Sequence, residues 1–181
     1  LQGLSLKNVK LTAYVNGKKT HEEFGEMIFT HYGISGPIVL STSNYINKYE
    51  GEYIEFRLDL KPALSEYKLD KRILRDFELY KNKQIKNGLI DLLPQKLIPI
   101  IIRKSSIIEK TFVHQITKRE RSNILSNIKG LKLTFKNFRP IKEAIVTSGG
   151  ISVEEIEPST MESKLIPGLF FAGEIIDVDG L

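Results

Sequence analysis

Residues 4–19 read "LSLKNVKLTAYVNGKK". From Leu4 to Val15 apolar and polar residues alternate with period two, which predicts a strand. Asn16-Gly17 then supplies a two-residue hairpin turn, because both positions tolerate positive φ. A second strand is expected over about 18–22, so the chain opens on an antiparallel β-hairpin. "GEMIFT" (25–30) reads as a third strand and "EYIEFRLDL" (52–60) as a further one. Between them lies "HYGISGPIVLSTSNYINK" (31–48). There Gly33 and Gly36 interrupt the strand, and Pro37 suits the first turn of a short helix over Ile38 to Ile46.

The texture changes at residue 63. "SEYKLDKRILRDFELYKNK" (65–83) places Leu69, Ile73, Leu74, Phe77 and Tyr80 at helical spacing. "LPQKLIPIIIRK" (93–104) predicts a helix that begins at Pro94 and is stressed by Pro99. "KTFVHQI" (110–116) predicts a third. "TKRERSNILSNIKG" (117–130) is the best defined: Thr117 and Glu120 form a capping-box pair, Ile124, Leu125 and Ile128 give an apolar face, and Gly130 stops it. Strands then return in "LKLTFKNF" (131–138), "EAIVTSGGIS" (143–152) and "LFFAGEII" (169–176), with a loop between the last two. A helical block is thus set within β-structure.

The composition of the 181 residues excludes several classes of chemistry. There is no cysteine, hence no disulfide, thiolate zinc site, iron–sulfur cluster or cysteine nucleophile. His21, His31 and His114 show no metal-ligand spacing. No apolar run approaches the ~18 residues of a membrane span, so no membrane partner is expected. No basic segment precedes an apolar one at Leu1, and a cytoplasmic location is expected. An opening Leu1 in place of Met suggests a processed or excised piece. Residues 64–130 carry 15 Lys and Arg against 7 Asp and Glu, whereas 151–181 carry one Lys against seven acids. A basic middle suits an anionic partner or a solvated helical face. Its aromatic residues Tyr67, Phe77 and Tyr80 sit at core-like spacing, which argues against base stacking.

No GxSxG elbow, P-loop or GxGxxG is present. Glu174, Asp177 and Asp179 lack an EF-hand pattern, and no metal site is assigned. The junction "GLFFAGEIIDVDGL" (168–181) carries more information. An apolar strand narrows to Ala172-Gly173 and meets an acid. Small residues let backbone approach a ligand, and a carboxylate accepts hydrogen bonds from hydroxyls, as a ribose or ribityl chain requires. A buried strand ending in a polar turn is the plainer alternative, and on spacing alone both stay open.

The stretches "FGEMIFTHYGISGPIVLSTS" (24–43) and "KEAIVTSGGISVEEIEPSTMESKLIPGLFFAGEIIDVDG" (142–180), with the helical block between them, resemble the BaiN/YhiN-type family of NAD(P)/FAD-dependent oxidoreductases, also described as aminoacetone-oxidase-like flavoproteins. The resemblance implies an α+β chain: a β-rich, barrel-like subdomain (1–62 and 131–150), an inserted helical subdomain (63–130), and a returning segment (151–181) of an incomplete Rossmann-type FAD domain. It implies FAD in a longer parent protein, with Gly173 and Glu174 near the flavin's ribityl and pyrophosphate region, Asp177 and Asp179 close by, and Gly149 and Gly150 where the chain passes the cofactor or the domain junction. His31, in "THYGISGP" (30–37), is the weak catalytic candidate. The implied partners are the rest of the FAD domain, a small-molecule substrate and NAD(P)H, with the direction of reaction left open. The missing glycine fingerprint means that this piece alone is expected neither to hold FAD tightly nor to be active. The alternative reading is a non-catalytic interaction or nucleic-acid-binding module using the basic block, with nucleic acid ranked below a small molecule as partner.

Overall fold

The computed structural model describes residues 1–144 and 149–178. The chain divides into two compact units, Leu1–Lys136 and Asn137–Leu181.

The first unit is built on the opening hairpin. Strand β1 (Ser5–Val15) pairs antiparallel with β2 (Lys18–Phe29), and Asn16 (φ 49°) and Gly17 (φ 79°) form the turn. Both turn residues are left-handed, which matches the twist of the flanking strands. The second and third expected strands are one continuous strand. Gly25 does not break the ladder; it stays paired with Val9. Its missing side chain makes room for a helix, since a Cβ there would lie 2.7 Å from Ile38 Cγ2.

A two-residue strand β3 (Ile34–Ser35) returns along Ile28 and Phe29, and helix α1 (Pro37–Ile46) follows with Pro37 in its first turn. Strand β4 (Ile54–Asp59) pairs with the other edge of β1. Four helices come next: α2 (Glu66–Leu79), α3 (Ile85–Gly88), α4 (Ile98–Lys104) and α5 (Lys118–Lys129). Strand β5 (Leu131–Thr134) then pairs with β4, so the antiparallel sheet has the order β3-β2-β1-β4-β5. The fold class is α+β, with the helical stretch lying between two adjacent strands of one sheet.

Burial explains these elements. Leu11, Ala13 and Val15 of β1 and Ile54, Phe56 and Leu58 of β4 are buried. Leu69, Ile73, Ile101, Ile102, Ile124 and Ile128 form the helical core. Each such aliphatic side chain contributes about 1.5–3 kcal/mol by leaving water. The expected capping box is present: Thr117 Oγ1 accepts from Glu120 N at 3.2 Å, while Glu120 Oε2 accepts from Thr117 N at 2.8 Å. Arg121 Nε bonds Asp70 Oδ1 at 2.8 Å and ties α5 to α2.

Several expectations change. Leu74 is 44% exposed, on the outer side of α2. The helix expected from Pro94 starts at Ile98, and Pro99 lies in its first turn, where it disturbs nothing. Residues 110–116 form only a 3₁₀ turn at Val113–Gln115, and α3 was not expected at all. Strand β5 ends at Thr134, short of the expected 138.

In the second unit the described residues contain 3₁₀ turns at Ile141–Glu143 and Val153–Glu155 and isolated bridges. The strand expected at 169–176 is absent: Phe170 bridges Glu162 and Ile176 bridges Ile151, and no ladder joins them. A strand needs a continuous neighbour for its N–H and C=O groups, and none runs beside this stretch among the described residues. Most of the strand expected at 143–152 falls on residues 145–148, outside the described residues.

Candidate functional site

The second unit brings most of the expected cofactor residues to one place. Ile151 N donates to Ile175 O at 2.9 Å, and Asp177 N donates to Ile151 O at 3.0 Å. The pairing between Ile151 and Ile176 is parallel. Gly150 makes it possible, because a Cβ on it would sit 2.5 Å from Ile175 O and 2.9 Å from Asp177 N. Its lack of a side chain is therefore used by chain-to-chain approach. Gly149 (φ 95°) stands beside open space.

Gly173 (φ 81°) opens the turn, and Ile176 N donates back to Gly173 O at 3.3 Å. Glu174 stands exposed on that turn, and its carboxylate has no hydrogen bond or ion pair among the described residues. Asp177 is also exposed. Asp179 lies outside the described residues. An apolar depression of about 260 Å³ adjoins the turn, lined by Val153, Ile156, Pro158, Met161, Gly173 and Ile176.

The preceding stretch is tied more tightly than its loop-like sequence suggests. Glu157 N donates to Glu162 O at 2.8 Å, and Met161 N to Glu157 O at 2.7 Å. Ser163 Oγ accepts from Leu165 N and Ile166 N, both at 3.1 Å, and Glu162 Oε1 accepts from Gly168 N at 2.6 Å. The polar residues of "TMESK" are thus occupied in shaping turns.

The hydrogen-bonding character of these side chains limits which part of the FAD implied by the resemblance they would suit. A carboxylate only accepts hydrogen bonds, so Glu174 suits hydroxyl groups. It repels phosphate oxygens, and Asp177 adds to that repulsion. Of such a cofactor, the ribityl and ribose hydroxyls would match these carboxylates, and the pyrophosphate would not. The described residues hold no group of three or more His, Cys, Asp or Glu that could bind a metal ion.

His31 belongs to the first unit. It sits in a turn closed by Thr30 N donating to Gly33 O at 2.8 Å, with Thr30 Oγ1 accepting from Tyr32 N and Gly33 N. Its ring lies against that of Tyr32, centroids 3.6 Å apart, and no described group orients the imidazole by a hydrogen bond.

An oriented histidine lies elsewhere. His21 Nε2 is 2.9 Å from Glu23 Oε2, which also accepts from Ser41 Oγ at 3.2 Å, and the His21 ring stacks on Tyr45 at 3.8 Å. Ser41 and His21 both bond Glu23 and not each other, so they are no nucleophile–base pair. The group fastens α1 to β2. The i,i+2 pair on a strand and the i,i+4 pair on a helix were visible in the sequence, but not their meeting.

The helical stretch is also less core-like than its spacing suggests. Phe77 is buried, but Tyr67 is 67% exposed with Lys71 Nζ 4.4 Å above its ring. His114 is exposed.

The first unit is thus an antiparallel sheet with a helical stretch set between its neighbouring strands β4 and β5. Residues 1–146 match the family described as HI0933-like protein barrel and H2TH domain, and the chain belongs to that family. It is 33% identical over 180 residues to a ribosomal RNA dihydrouridine synthase of Haemophilus influenzae, covering 99% of this chain and 42% of that protein. It is 30% identical over 158 residues to the Escherichia coli protein of the same description, covering 85% of this chain and 36% of the relative. It is 28% identical over 176 residues to a 3-dehydro-bile acid delta(4,6)-reductase of Clostridium scindens, covering 96% and 43%. The chain spans less than half the length of these curated relatives. No helix among the described residues is long and apolar enough to cross a membrane.

Proposed function

We propose that the chain is the insert region and one returning segment of an FAD-dependent oxidoreductase. The insert covers the flavin and shapes the substrate pocket, and residues 151–181 rejoin a Rossmann-type FAD domain supplied by the rest of the protein. The observation that carries this reading is the parallel Ile151–Ile176 pairing, which holds backbone 175–177, just after the Gly173 turn and the exposed Glu174, against Gly150. Parallel pairing with a polar turn at the strand end is how open nucleotide-binding sheets present their ligand edge.

FAD, when bound, supplies the two-electron redox chemistry. The chain's own residues hold it. Glu174 accepts hydrogen bonds from the ribityl or ribose hydroxyls, and Gly173 lets the backbone come close. Gly150 keeps residues 149–151 against 175–177. Leu169, Phe170 and Ile175, exposed in this chain, pack on the remainder of the FAD domain. His31 lines the pocket or domain interface in "THYGISGP"; without an orienting partner it is a poor proton donor.

The names of the relatives point to addition of hydrogen across a ring double bond, in a nucleic-acid base or in a bile acid. The reading for this protein is a reductase of that kind, drawing electrons from NAD(P)H and working in the cytoplasm. The test is purification of the whole protein, release of its flavin by denaturation, and assay of NAD(P)H oxidation with a uridine-containing ribosomal RNA and with a conjugated 3-oxo bile acid. Bound FAD and turnover with either substrate support the reading. A protein that neither carries nor takes up flavin overturns it.

A further inference from the structure

The first unit contains a small cavity that the flavin reading leaves unused. Its volume is about 130 Å³, and β1, the residues just after β4 and the stretch ahead of α4 line it. A dry aliphatic cavity of about 150 Å³ accepts benzene. Pockets for larger substrates begin near ~300 Å³. A one-ring or short-chain molecule therefore fits here, and a steroid or a nucleotide does not.

The wall on β1 is made by an irregularity. Pairing with β2 slips between Leu6 and Val9, and Asn8 (φ 54°) stands in the extra position. In a regular strand Leu6 and Val9 would face opposite sides. The bulge buries both, at 5% and 2% exposure, and leaves Lys7 between them on the cavity wall.

Two cations and no acid line the cavity. They are Lys7 and Lys61, and neither ammonium group has an ion pair or hydrogen bond among the described residues. The acids of this region are engaged elsewhere: Asp59 with Lys129 Nζ at 2.6 Å, Asp76 with Arg72 Nε at 2.7 Å, and Asp91 with Tyr80 Oη at 2.8 Å. Burial pushes the Lys61 ammonium below its ordinary pKa, and the Arg72 guanidinium adds to this. An anion in the cavity would offset both effects.

The lining also decides which anion fits. Ser5 adds a hydroxyl to the two ammonium groups, while Leu93 and Leu97 supply aliphatic wall. These donors suffice for the two oxygens of a carboxylate. The further oxygens of a phosphate would face leucine side chains, and an unsatisfied buried acceptor is costly. A wholly apolar guest would leave the lysines uncompensated.

We propose that this cavity binds a small organic carboxylate, with its oxygens on Lys7 and Lys61 and its compact apolar body against Leu93 and Leu97. The proposal does not rest on the flavin reading.

The test uses the whole protein that carries this chain, with benzoate as probe and benzamide as its neutral counterpart of the same shape. Binding is measured by titration calorimetry, and flavin absorbance is recorded with and without benzoate. The wild type binds benzoate at least about tenfold more tightly than benzamide. Lys61→Met, which keeps the aliphatic stem, weakens benzoate binding at least about tenfold. Lys7→Met, at an exposed position, weakens it about threefold and serves alone if Lys61→Met fails to fold. Lys18→Met, an equal charge change at the hairpin turn, leaves affinity unchanged. Circular dichroism verifies the folding of each variant. No benzoate binding by the wild type, equal affinity for benzamide, tighter binding of inorganic phosphate, or unchanged affinity in Lys7→Met overturns the proposal. So does a benzoate-induced change in flavin absorbance that persists when both lysines are replaced, since the anion then binds at the flavin. Flavin content is read on the same samples, so failure here is separable from failure of the oxidoreductase reading.

Discussion

Lys129 Nζ lies 2.6 Å from Asp59 Oδ2, where the chain leaves the sheet for the helices and where it comes back. Asp59 ends β4, and Lys129 ends α5 two residues before β5. The same ammonium donates to Lys61 O at 3.1 Å and Leu64 O at 2.8 Å, while Asp59 Oδ1 accepts from Lys61 N at 2.9 Å. Leu60 N donates to Ile128 O at 2.9 Å. Entry and exit of the helical insert are thus closed by one ion pair with its partners satisfied. Lys129→Ala leaves a mostly buried carboxylate without its cation and lowers stability by about 3 kcal/mol. Asp59→Asn in that background recovers part of the loss. Urea unfolding of the single and double variants measures both.

Glu22 in β2 and Glu55 in β4 are the sheet carboxylates held below their ordinary pKa, and substitution of Glu22 tests the effect. A hydrogen bond from Lys19 lowers its pKa most, burial opposes this, and Lys10 and Thr12 lower it further. A carboxylate with a lowered pKa in the folded state stabilises that state above the unfolded pKa, and the contribution disappears as pH falls through the folded value. Thermal unfolding followed downward from neutral pH therefore falls less steeply in Glu22→Gln than in the wild type. Parallel curves would show that Glu22 contributes nothing.

Gly150 has a backbone role. A methyl group there meets Ile175 O at 2.5 Å, so Gly150→Ala forces residues 149–151 and 175–177 apart. The expected cost is about 1–3 kcal/mol, as for other overpacked sites. In the whole protein the variant unfolds at lower temperature and loses flavin more readily, whereas Gly149→Ala, beside open space but at positive φ, costs about 1–2 kcal/mol of backbone strain.

Glu174 is read as the hydroxyl acceptor. Removal of one charge-assisted hydrogen bond costs about 1.5–3 kcal/mol, or roughly 10- to 150-fold in affinity. Glu174→Ala weakens FAD binding by that order in reconstitution followed by flavin fluorescence. Glu174→Gln, which keeps an acceptor oxygen, loses less.

The parts legible in the sequence were those fixed by near neighbours. Asn16-Gly17 dictates its turn, and Thr117 with Glu120 caps α5 as expected, because both devices close within four residues. Tertiary contacts decided the rest. Two strands are expected at 18–22 and 25–30, whereas β2 runs unbroken through Gly25, over which Ile38 packs. Leu74 and Tyr67 fit a helical stripe but fall outside the arc that faces α5. Residues 169–176 have the composition of a strand, yet strands form only beside a neighbour. At the candidate site the sequence named Gly150 and Glu174, but the contact that gathers them depends on a backbone approach across some 25 residues of chain.

The most direct test of the central claim is the visible absorbance spectrum of the whole protein after gentle purification, with its flavin identified by release and chromatography. The account predicts bound FAD in the wild type, with the spectrum bleached on addition of NADH or NADPH and a reduced flavin content in Glu174→Ala. A colourless wild-type protein that takes up no added FAD would contradict it.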